Sequence, residues 1–315
     1  MTGRRRARWP GRALGAAAGL ALDQLVGEPP VPDRLHPVAV FGTGVSALER
    51  RLYDDRLAPG AVLAAGGVGM AALAGAALRS PVLAGYLTTA GRGLHDAARD
   101  VADALDAGDL ARARDLMPAL VGRDPTTLDA AAVARAVVES VAENTTDAVV
   151  APALWTLVGG SVGAFVHRAT DTLDSMVGYR DARYRRFGTA AARLDDALAY
   201  VPARATAVLV ALARPRRASE VARVVRRDGS RHPSPNAGIG EAAFAAALGV
   251  RLGGGDNRYG DAIEYRPSMG DGRDPTGRDI HAAVALSRDV TWLLAAGLAI
   301  AGGIAAARDR RASRR

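Results

Sequence analysis

Long apolar runs recur along the chain, separated by polar stretches. Four of them have 17 to 19 residues, namely Ala61–Leu78, Ala148–Val166, Ala197–Ala213 and Val290–Ala307. A helix needs about 20 residues to cross the hydrocarbon core of a bilayer, and about 17 suffice at the lower limit. The runs are rich in Ala and Gly, which lets membrane helices pack closely. The pattern therefore favours membrane spans over the alternative, buried helices of a soluble protein.

Between these runs the spacing of apolar residues is helical. Leu94–Leu105 is amphipathic, and Asp124–Thr127 is typical of a turn and helix cap before Leu128–Ala142. Period-two alternation is rare, so little sheet is expected. Gly and Pro predict irregular segments at Asp228–Gly240, Gly253–Gly255 and Tyr265–Pro275. We therefore predict an all-α fold, a multi-pass membrane helical bundle with amphipathic helices and irregular polar loops, in which residues 1–315 form a single domain.

The charge distribution supports this fold class. The net charge is +8, and all 41 basic residues are arginine. Basic clusters adjoin apolar runs at both ends of the chain: Arg4, Arg5, Arg6, Arg8, Arg12, Arg308, Arg310, Arg311, Arg314 and Arg315. Such clusters are typical of cytoplasmic flanks, so we expect a multi-pass protein of the inner (cytoplasmic) cell membrane with both termini in the cytoplasm. Aromatic residues make up only 4% of the chain, which argues against nucleic acid as a partner.

Missing residue types exclude several chemistries. There is no cysteine, so disulfides, thiolate metal sites and cysteine nucleophiles are impossible. There is no lysine either, which excludes a Schiff base to pyridoxal phosphate and the lysine of a phosphate-binding loop. No histidine metal motif is present, so zinc is not expected. The stretch Val38–Ala47 contains a G-x-G-x-x-A turn typical of dinucleotide binding, but an apolar run follows instead of the alternating strands and helices that such a fold requires.

An acidic stripe precedes the second apolar run. Glu139, Glu143 and Asp147 are spaced four residues apart, so they share one face of a helix. Three acids on one stripe repel each other unless a cation or arginines lie opposite. Oxygen ligands of this kind suit Mg²⁺ or a general base. The alternative is a solvated face or ion pairs with helix arginines, and the sequence leaves both readings open.

Three further polar segments follow. In Phe165–Gly188, Asp171 and Asp174 precede an arginine and tyrosine cluster, and arginine forks bind phosphate or carboxylate bidentately. The alternative for that cluster is the positive flank of a membrane span. Arg193 precedes an acidic pair, and either an ion pair or a ligand role fits it. In the loop that ends at Gly238, two prolines are expected to stiffen a turn that presents His232, Ser234 and Asn236.

These segments together resemble the CobD/CbiB family of cobalamin biosynthesis proteins, the adenosylcobinamide-phosphate synthases. The similar motifs occur in the same order as in the family, from about residue 20 to about residue 280. Each short motif alone is a weak signal, but the ordered set is specific to the family. The matching words are Leu22–Pro29, His36–Val38, Val121–Asp124, Val141–Thr145, Asp171–Arg180, Ala192–Asp196, His232–Gly238, Glu241–Phe244 and Ala247–Gly254.

The resemblance implies a membrane enzyme that joins a carboxylate of adenosylcobyric acid to (R)-1-aminopropan-2-ol, or its O-phosphate, as an amide. ATP and Mg²⁺ would serve as co-substrate and ion, and other corrin-pathway enzymes are possible partners beside the bilayer. The predicted catalytic residues are Glu143, Asp147, Asp174 and His232, of which the three acids are also the predicted Mg²⁺ ligands. The predicted substrate or phosphate ligands are Asn144, Thr145, Asp171, Tyr179, Arg180, Arg183, Arg193, Ser234 and Asn236.

The chain departs from the family pattern at three positions: Asp171 stands where Asn is usual, Ala148 where Gly is usual and Gly240 where Pro is usual. The first adds a negative charge near the predicted site. Two other functions also fit the charges in apolar surroundings, a non-catalytic scaffold and a transporter of the corrinoid pathway.

The course of Ala148–Val166 decides how the predicted acids are related. If this run crosses the membrane, Glu143 and Asp174 lie on opposite sides. A re-entrant course, helped by Pro152 and the Gly159–Gly160 pair, would remove that conflict.

Overall fold

The computed structural model describes residues 9–29, 31–179, 183–259 and 262–313. Its α-helices are, in chain order, α1 (Trp9–Val26), α2 (Pro37–Leu52), α3 (Leu57–Leu78), α4 (Pro81–Thr88), α5 (Gly91–Asp106), α6 (Leu110–Leu116), α7 (Ala130–Thr145), α8 (Ala151–Val177), α9 (Thr189–Ala213), α10 (Ala218–Asp228), α11 (Ala237–Leu248) and α12 (Gly277–Ala312). Short 3-10 turns cover Asp33–Leu35, Met117–Ala119 and Pro215–Arg217, and a π-helical turn, Thr146–Val150, joins α7 to α8.

The sheet content of the described chain is one antiparallel hairpin. It consists of β1 (Gly255–Tyr259) and β2 (Ala262–Arg266), with Gly255 opposite Arg266. Part of the segment that the sequence predicts as irregular is therefore a strand. The hairpin is small, and the all-α prediction is confirmed.

Four described stretches are long and apolar enough to cross a membrane: Leu57–Leu78, Ala130–Val177, Thr189–Ala213 and Gly277–Ala312. Each of them contains one of the four apolar runs of the sequence. The chain is therefore a multi-pass helical membrane protein in its composition and helix lengths, as predicted.

Helix α7 begins two residues later than its sequence pattern predicts. Its first turn is capped by Asp129, whose carboxylate accepts a hydrogen bond from the backbone N–H of Ala132 at 2.8 Å. Asp124 instead accepts from the backbone and hydroxyl of Thr126 at 2.9 and 2.8 Å. These two contacts close a local turn, so this aspartate ends a loop and does not start the helix.

The chain forms two compact units. Unit 1 comprises residues 1–90, 151–199 and 294–315, and unit 2 comprises residues 91–150 and 200–293. The prediction of a single domain remains a prediction, because compactness alone does not show that either unit folds independently.

Small residues bring the helices of unit 1 into close contact. A Cβ atom on Gly19 of α1 would lie 2.8 Å from the backbone of Gly85 in α4, and one on Gly75 of α3 would lie 2.6 Å from the carbonyl oxygen of Ser161 in α8. A larger residue at either position would push the helices apart. This close packing through glycine is the kind that the Ala- and Gly-rich runs predict. The core of the unit centres on Leu63, Leu173 and Phe187.

Helix α8 reverses direction at Gly160. This residue has φ 63° and ψ −147°, a conformation that is not helical and is accessible almost only to glycine. Beyond it, a Cβ atom on Gly163 would lie 2.3 Å from the carbonyl oxygen of Trp155, whereas residues eight apart in a straight helix are separated by about 12 Å. Arg12 donates to the carbonyl of Val158 at 2.5 Å and so satisfies an orphan acceptor at the turn. The run Ala148–Val166 therefore folds back on itself.

Unit 2 is organised around α11, whose residues Ala237–Ala247 are all buried. A Cβ atom on Gly240 would lie 3.1 Å from the carbonyl oxygen of Ala142 in α7, so this glycine lets the two helices approach closely. A buried polar chain also crosses the unit. Oγ1 of Thr145 lies 2.7 Å from Oγ of Ser287, which lies 2.9 Å from Nε2 of His95. This chain connects α7, α12 and α5.

Candidate functional site

A polar pocket of about 90 Å³ lies in unit 2 beside α7. Its wall combines two glutamates one turn apart, a serine, and two arginines from distant parts of the sequence. The lining residues are Leu120, Val121, Gly122, Arg123, Ala136, Glu139, Ser140, Glu143 and Arg266. A site with two acids opposite two arginines suits a small ligand that carries both signs of charge, or an anion together with a cation.

Glu139 is fixed by contacts to both of its carboxylate oxygens. Oε2 accepts from Nη2 of Arg123 at 2.5 Å, and Oε1 accepts from the backbone N–H of Gly253 at 2.7 Å. The side chains of Arg123 and Glu139 are only 9% and 4% exposed. Ser140 donates to the carbonyl of Leu120 at 2.7 Å and holds the arginine-bearing loop against α7. Ion pairing of this acid was one of the two readings of the sequence, although its partner lies in a loop and not on a helix.

Glu143 is the predicted catalytic acid that lines this pocket, and its side chain is half-buried. Asp147 is not among the described residues of the pocket wall. It belongs to the π-helical turn, where each turn holds about one residue more than in an α-helix and successive positions are displaced around the axis. The acidic stripe predicted from four-residue spacing therefore includes Glu139 and Glu143 but ends before Asp147.

Behind the pocket, Glu241 and His232 form a buried pair. Their side chains are 0% and 3% exposed, and Oε1 of Glu241 lies 3.6 Å from Nε2 of His232 and 3.3 Å from Nη1 of Arg266. Arg266 also lines the pocket, so it connects the pair with the cavity. Oε2 of Glu241 and Nε2 of His232 have no hydrogen-bond partner in the described part of the chain. Buried polar atoms without partners are rare and point to a functional role or an absent ligand.

Burial favours the uncharged form of both members of this pair. It raises the pKa of Glu241 well above the usual range, and the nearby carboxylate of Glu139 raises it further, while Arg266 opposes the shift. Burial, assisted by the positive charge of Arg266, lowers the pKa of His232 to about 4. His232 is therefore a neutral imidazole at neutral pH, and burial favours the protonated form of the Glu241 carboxyl.

The loop around His232 folds inward. The backbone N–H of Ser234 donates to Nδ1 of His232 at 3.0 Å, which assigns the ring proton to Nε2, facing Glu241. Oγ of Ser234 accepts from the N–H of Ala237 at 3.2 Å at the start of α11, and Oδ1 of Asn236 accepts from Nη1 of Arg204 at 2.9 Å. His232 and Asn236 are buried. The sequence predicted the turn but not the inward direction of these side chains, whose polar groups cap and anchor α11.

The two residues that follow Glu143 have contacts within the helix bundle. Nδ2 of Asn144 donates to the carbonyl of Ser140 at 3.0 Å. Thr145 is fully buried in the polar chain with Ser287. Their predicted roles as substrate ligands stay predictions.

The remaining predicted site residues that the structure describes belong to unit 1. Asp171 pairs with Arg168 at 3.1 Å. Arg183 donates to Oε1 of Glu49 at 3.1 Å, and Tyr184 donates to the same oxygen at 2.8 Å. Asp174 is half-buried, whereas Tyr179 and Arg193 are exposed. Arg180 lies outside the described residues.

The sequence predicts Glu143, Asp147 and Asp174 as Mg²⁺ ligands. Among the residues that the structure describes, no group of three or more His, Asp or Glu side chains could hold a metal ion. Mg²⁺ commonly binds through one or two carboxylates together with substrate phosphates. Glu143, which reaches the pocket, fits that mode as a single protein ligand. A dedicated three-acid site made by Glu143, Asp147 and Asp174 has no support in the described residues.

Sequence reasoning missed three residues of this site: Arg123, Glu241 and Arg266. A signal existed for Glu241, because a lone acid inside the apolar helix Ala237–Leu248 is costly to bury without a role. Arg123 belongs to one of the words that resemble the family. No local pattern marks Arg266, which reaches the site only through the β hairpin.

Comparison with known proteins identifies the family of this chain. Residues 16–287 match the model of the CobD/Cbib protein family. The chain is 47% identical over 295 residues to a cobalamin biosynthesis protein CobD from Mycobacterium tuberculosis, covering 90% of this chain and 93% of that protein. Relatives of the same name from Chromobacterium violaceum (43% identical, 93% and 97% covered) and Geobacter metallireducens (42% identical, 81% and 85% covered) are also similar. No solved structure matches. The chain thus belongs to the CobD/CbiB family of cobalamin biosynthesis proteins.

Proposed function

We propose that this protein is the adenosylcobinamide-phosphate synthase of its pathway, an ATP-dependent amide ligase. It joins a carboxylate of adenosylcobyric acid to (R)-1-aminopropan-2-ol or the O-phosphate of this amine. The observation that supports this most directly is the pocket in which Glu143 accompanies Arg266, backed by the buried pair of Glu241 and His232. Membership of a cobalamin biosynthesis family supports the role in this pathway, and the charged groups of the pocket are suited to the reaction.

The chemistry requires an activated acyl group. A carboxylate is a poor acyl donor, so its oxygen first attacks the γ-phosphorus of ATP, giving an acyl phosphate and ADP. The amine nitrogen then attacks the acyl carbon, the C–N bond forms, and inorganic phosphate leaves. Arg266 is placed to stabilise the anionic charge of the transferred group. Bound Mg²⁺ would neutralise phosphate charge in the same step.

The amine must lose a proton before or during its attack. Glu143 is half-buried at the pocket wall, and a carboxylate in this position is suited to accept that proton. Glu139 contributes differently, because Arg123 and the backbone of Gly253 occupy both of its oxygens. We assign Glu139 to holding the pocket wall and Glu143 to proton transfer.

The size of the pocket limits what enters it. A water molecule needs roughly 10–15 Å³ of comparable cavity volume, so about 90 Å³ holds only a small group. The amine substrate or one carboxylate arm of the corrinoid fits this volume, whereas a corrin ring does not. We therefore place the bulk of the corrinoid outside the pocket. The apolar helices place the enzyme in a membrane, which we propose is the inner cell membrane, beside other enzymes of the corrin pathway.

The direct test uses the full-length protein purified in detergent. We expect adenosylcobyric acid, aminopropanol or its O-phosphate, and MgATP to yield the amide and an equal amount of ADP, measured by mass spectrometry and nucleotide chromatography. A well-folded protein that forms no amide with either amine would overturn the proposal. Pathway output in cells that is unchanged by Glu143→Gln would favour a non-catalytic scaffold, and uptake of corrinoid into vesicles without a covalent product would favour a transporter.

A further inference from the structure

Unit 1 contains a second, larger pocket where α2 passes into α3. Its volume is about 570 Å³, and it is open to the surface. The lining residues are Arg51, Leu52, Tyr53, Asp54, Arg56, Ala58, Pro59 and Val62. None of them belongs to the site proposed for the ligase reaction.

The rim of this pocket is basic. Arg51 is exposed, and the side chain of Arg56 is 71% exposed. Asp54 accepts from Nε of Arg56 at 2.6 Å, a contact that orients the guanidinium while its terminal nitrogens remain available as donors. Tyr53 is held in place, since its hydroxyl donates to the carbonyl of Arg183 at 2.9 Å and the Arg183 guanidinium lies 4.6 Å from its ring. Two arginines against one acid give the lining a net positive charge.

The opposite wall is apolar and leads onto the exposed face of α3. Ala58 and Val62 lie in the first two turns of this 22-residue helix, and Val62 is 56% exposed. The same exposed stripe continues through Ala65, Gly69 and Leu73, at the spacing of one helix face. The helix has a mean hydropathy of 1.9 over its most apolar window, only 28% of which is buried.

We propose that this pocket binds one anionic phospholipid, with the phosphate held by Arg51 and Arg56 and an acyl chain lying along the exposed stripe of α3. Both parts of such a lipid, the anionic headgroup and the apolar chain, match the chemistry of the pocket. Arginine forks bind phosphate oxygens, and basic pockets at the ends of membrane helices bind anionic lipid headgroups. A free phosphate would use only the arginines and would leave the continuous apolar wall uncovered. The lipid uses both, and its length follows the helix from its polar end toward the hydrocarbon core.

The experiment measures lipid binding to the full-length protein. Protein in nanodiscs of phosphatidylcholine with a minor fraction of phosphatidylglycerol is released into the gas phase, and retained lipids are counted by native mass spectrometry. We expect one phosphatidylglycerol per chain with the natural sequence. The double variant Arg51→Gln/Arg56→Gln should weaken retention by roughly 30-fold, since each arginine near an anionic membrane surface contributes about 1 kcal/mol. Arg79→Gln is the matched control, because this exposed arginine ends the same helix at its other terminus.

Three results would overturn the proposal. Equal loss of lipid in Arg79→Gln and the double variant would mean that arginine charge acts without regard to the pocket. Displacement of the lipid by millimolar inorganic phosphate would identify a soluble anion site. Cross-linking of two chains through cysteines placed at Val62 and Leu73 would show that a second copy covers the stripe. Unchanged circular dichroism of each variant is required, and Val62→Asp supplies an independent test, because it should reduce lipid retention while both arginines remain.

Discussion

Nε2 of His232 lies 3.6 Å from Oε1 of Glu241, and both side chains are buried. That distance exceeds a hydrogen bond, so neighbouring groups hold the pair in place. The Ser234 backbone fixes the ring from one side, and Arg266 approaches the carboxyl from the other. Two buried titratable groups lie next to a charged pocket, and a change of charge in the pocket will alter the free energy of ionising either of them.

The pair predicts a pH dependence of stability. The pKa of His232 is about 4 in the folded protein and about 6.5 in the unfolded chain. Because the folded pKa is depressed, the stabilisation is present above pH 6.5 and is lost as the pH falls toward 4. The full loss is about 3 kcal/mol from this residue. Thermal unfolding in detergent between pH 7.5 and 4.5 should show a steeper decline in Tm for the natural protein than for His232→Asn.

Glu241 contributes with the opposite sign. Its folded pKa is raised, so the stabilisation is present at low pH and is lost as the pH rises through that folded pKa. His95 should show the same loss of stabilisation at low pH as His232, because burial also lowers its pKa to about 4. The variant His95→Gln is therefore the matched control. It should make Tm less dependent on pH in the same range but leave ligase activity unchanged. Parallel curves for the natural protein and His232→Asn would contradict the buried neutral state.

Replacing Glu143 should separate catalysis from folding. Glu143→Gln removes the proton acceptor but keeps the shape of the side chain, so we expect kcat to fall by about 10²- to 10⁴-fold with little change in Tm. Asp147→Asn, outside the pocket wall, should lower kcat by less. Glu220→Gln makes the same chemical change on the surface of α10, where Glu220 pairs with Arg223, and should leave activity intact. A loss of activity equal in Glu143→Gln and Glu220→Gln would remove Glu143 from the mechanism.

The ion pair of Arg123 and Glu139 should behave as a buried pair. Glu139→Met leaves a buried guanidinium without its carboxylate, at an expected cost of about 3–5 kcal/mol in the free energy of unfolding. The double variant Arg123→Met/Glu139→Met should cost less than the sum of Arg123→Met and Glu139→Met, because it removes both charges. Chemical unfolding of all four proteins measures the coupling. Strict additivity would mean that the 2.5 Å contact contributes no coupling energy.

Replacing Gly160 should destabilise the protein, whereas replacing its neighbour Gly159 should not. Gly160→Ala places a Cβ atom on a backbone at φ 63° and ψ −147°, which costs about 1–3 kcal/mol. Gly159→Ala is the matched control, because a Cβ atom there meets no described atom within 4 Å, and helix propensity favours Ala over Gly by about 1 kcal/mol. We expect Tm to fall for Gly160→Ala and to stay level or rise for Gly159→Ala. Equal Tm values would argue against the reversal.

The apolar runs and amphipathic segments predicted the fold class because both depend on spacing along the chain. The same logic identified Glu143, an acid that is expensive beside an apolar run. It failed for Arg266 and for the Gly253 amide that fixes Glu139. These groups approach α7 through tertiary packing of segments more than a hundred residues away, which no local period encodes.

The direction of the loop side chains could not be predicted for a related reason. Pro and Gly indicated a turn at His232–Gly238, and the turn exists, but the direction of its side chains depends on what packs against it. A Cβ atom on Gly238 would lie 2.5 Å from Cβ of His232, so the absence of a side chain there lets the ring turn inward. Composition predicts where a chain bends, whereas burial decides what the bend exposes.

Arg12 is synthesised well before the turn that it caps. Its contact with the carbonyl of Val158 joins residues 146 positions apart, and at typical rates of synthesis the ribosome needs roughly 7 to 30 seconds to make that interval. The cap for the reversing turn is thus already present in the nascent chain when Gly160 emerges. Helix α8 is able to close its turn as soon as it is made, while most of α9 to α12 has yet to be translated.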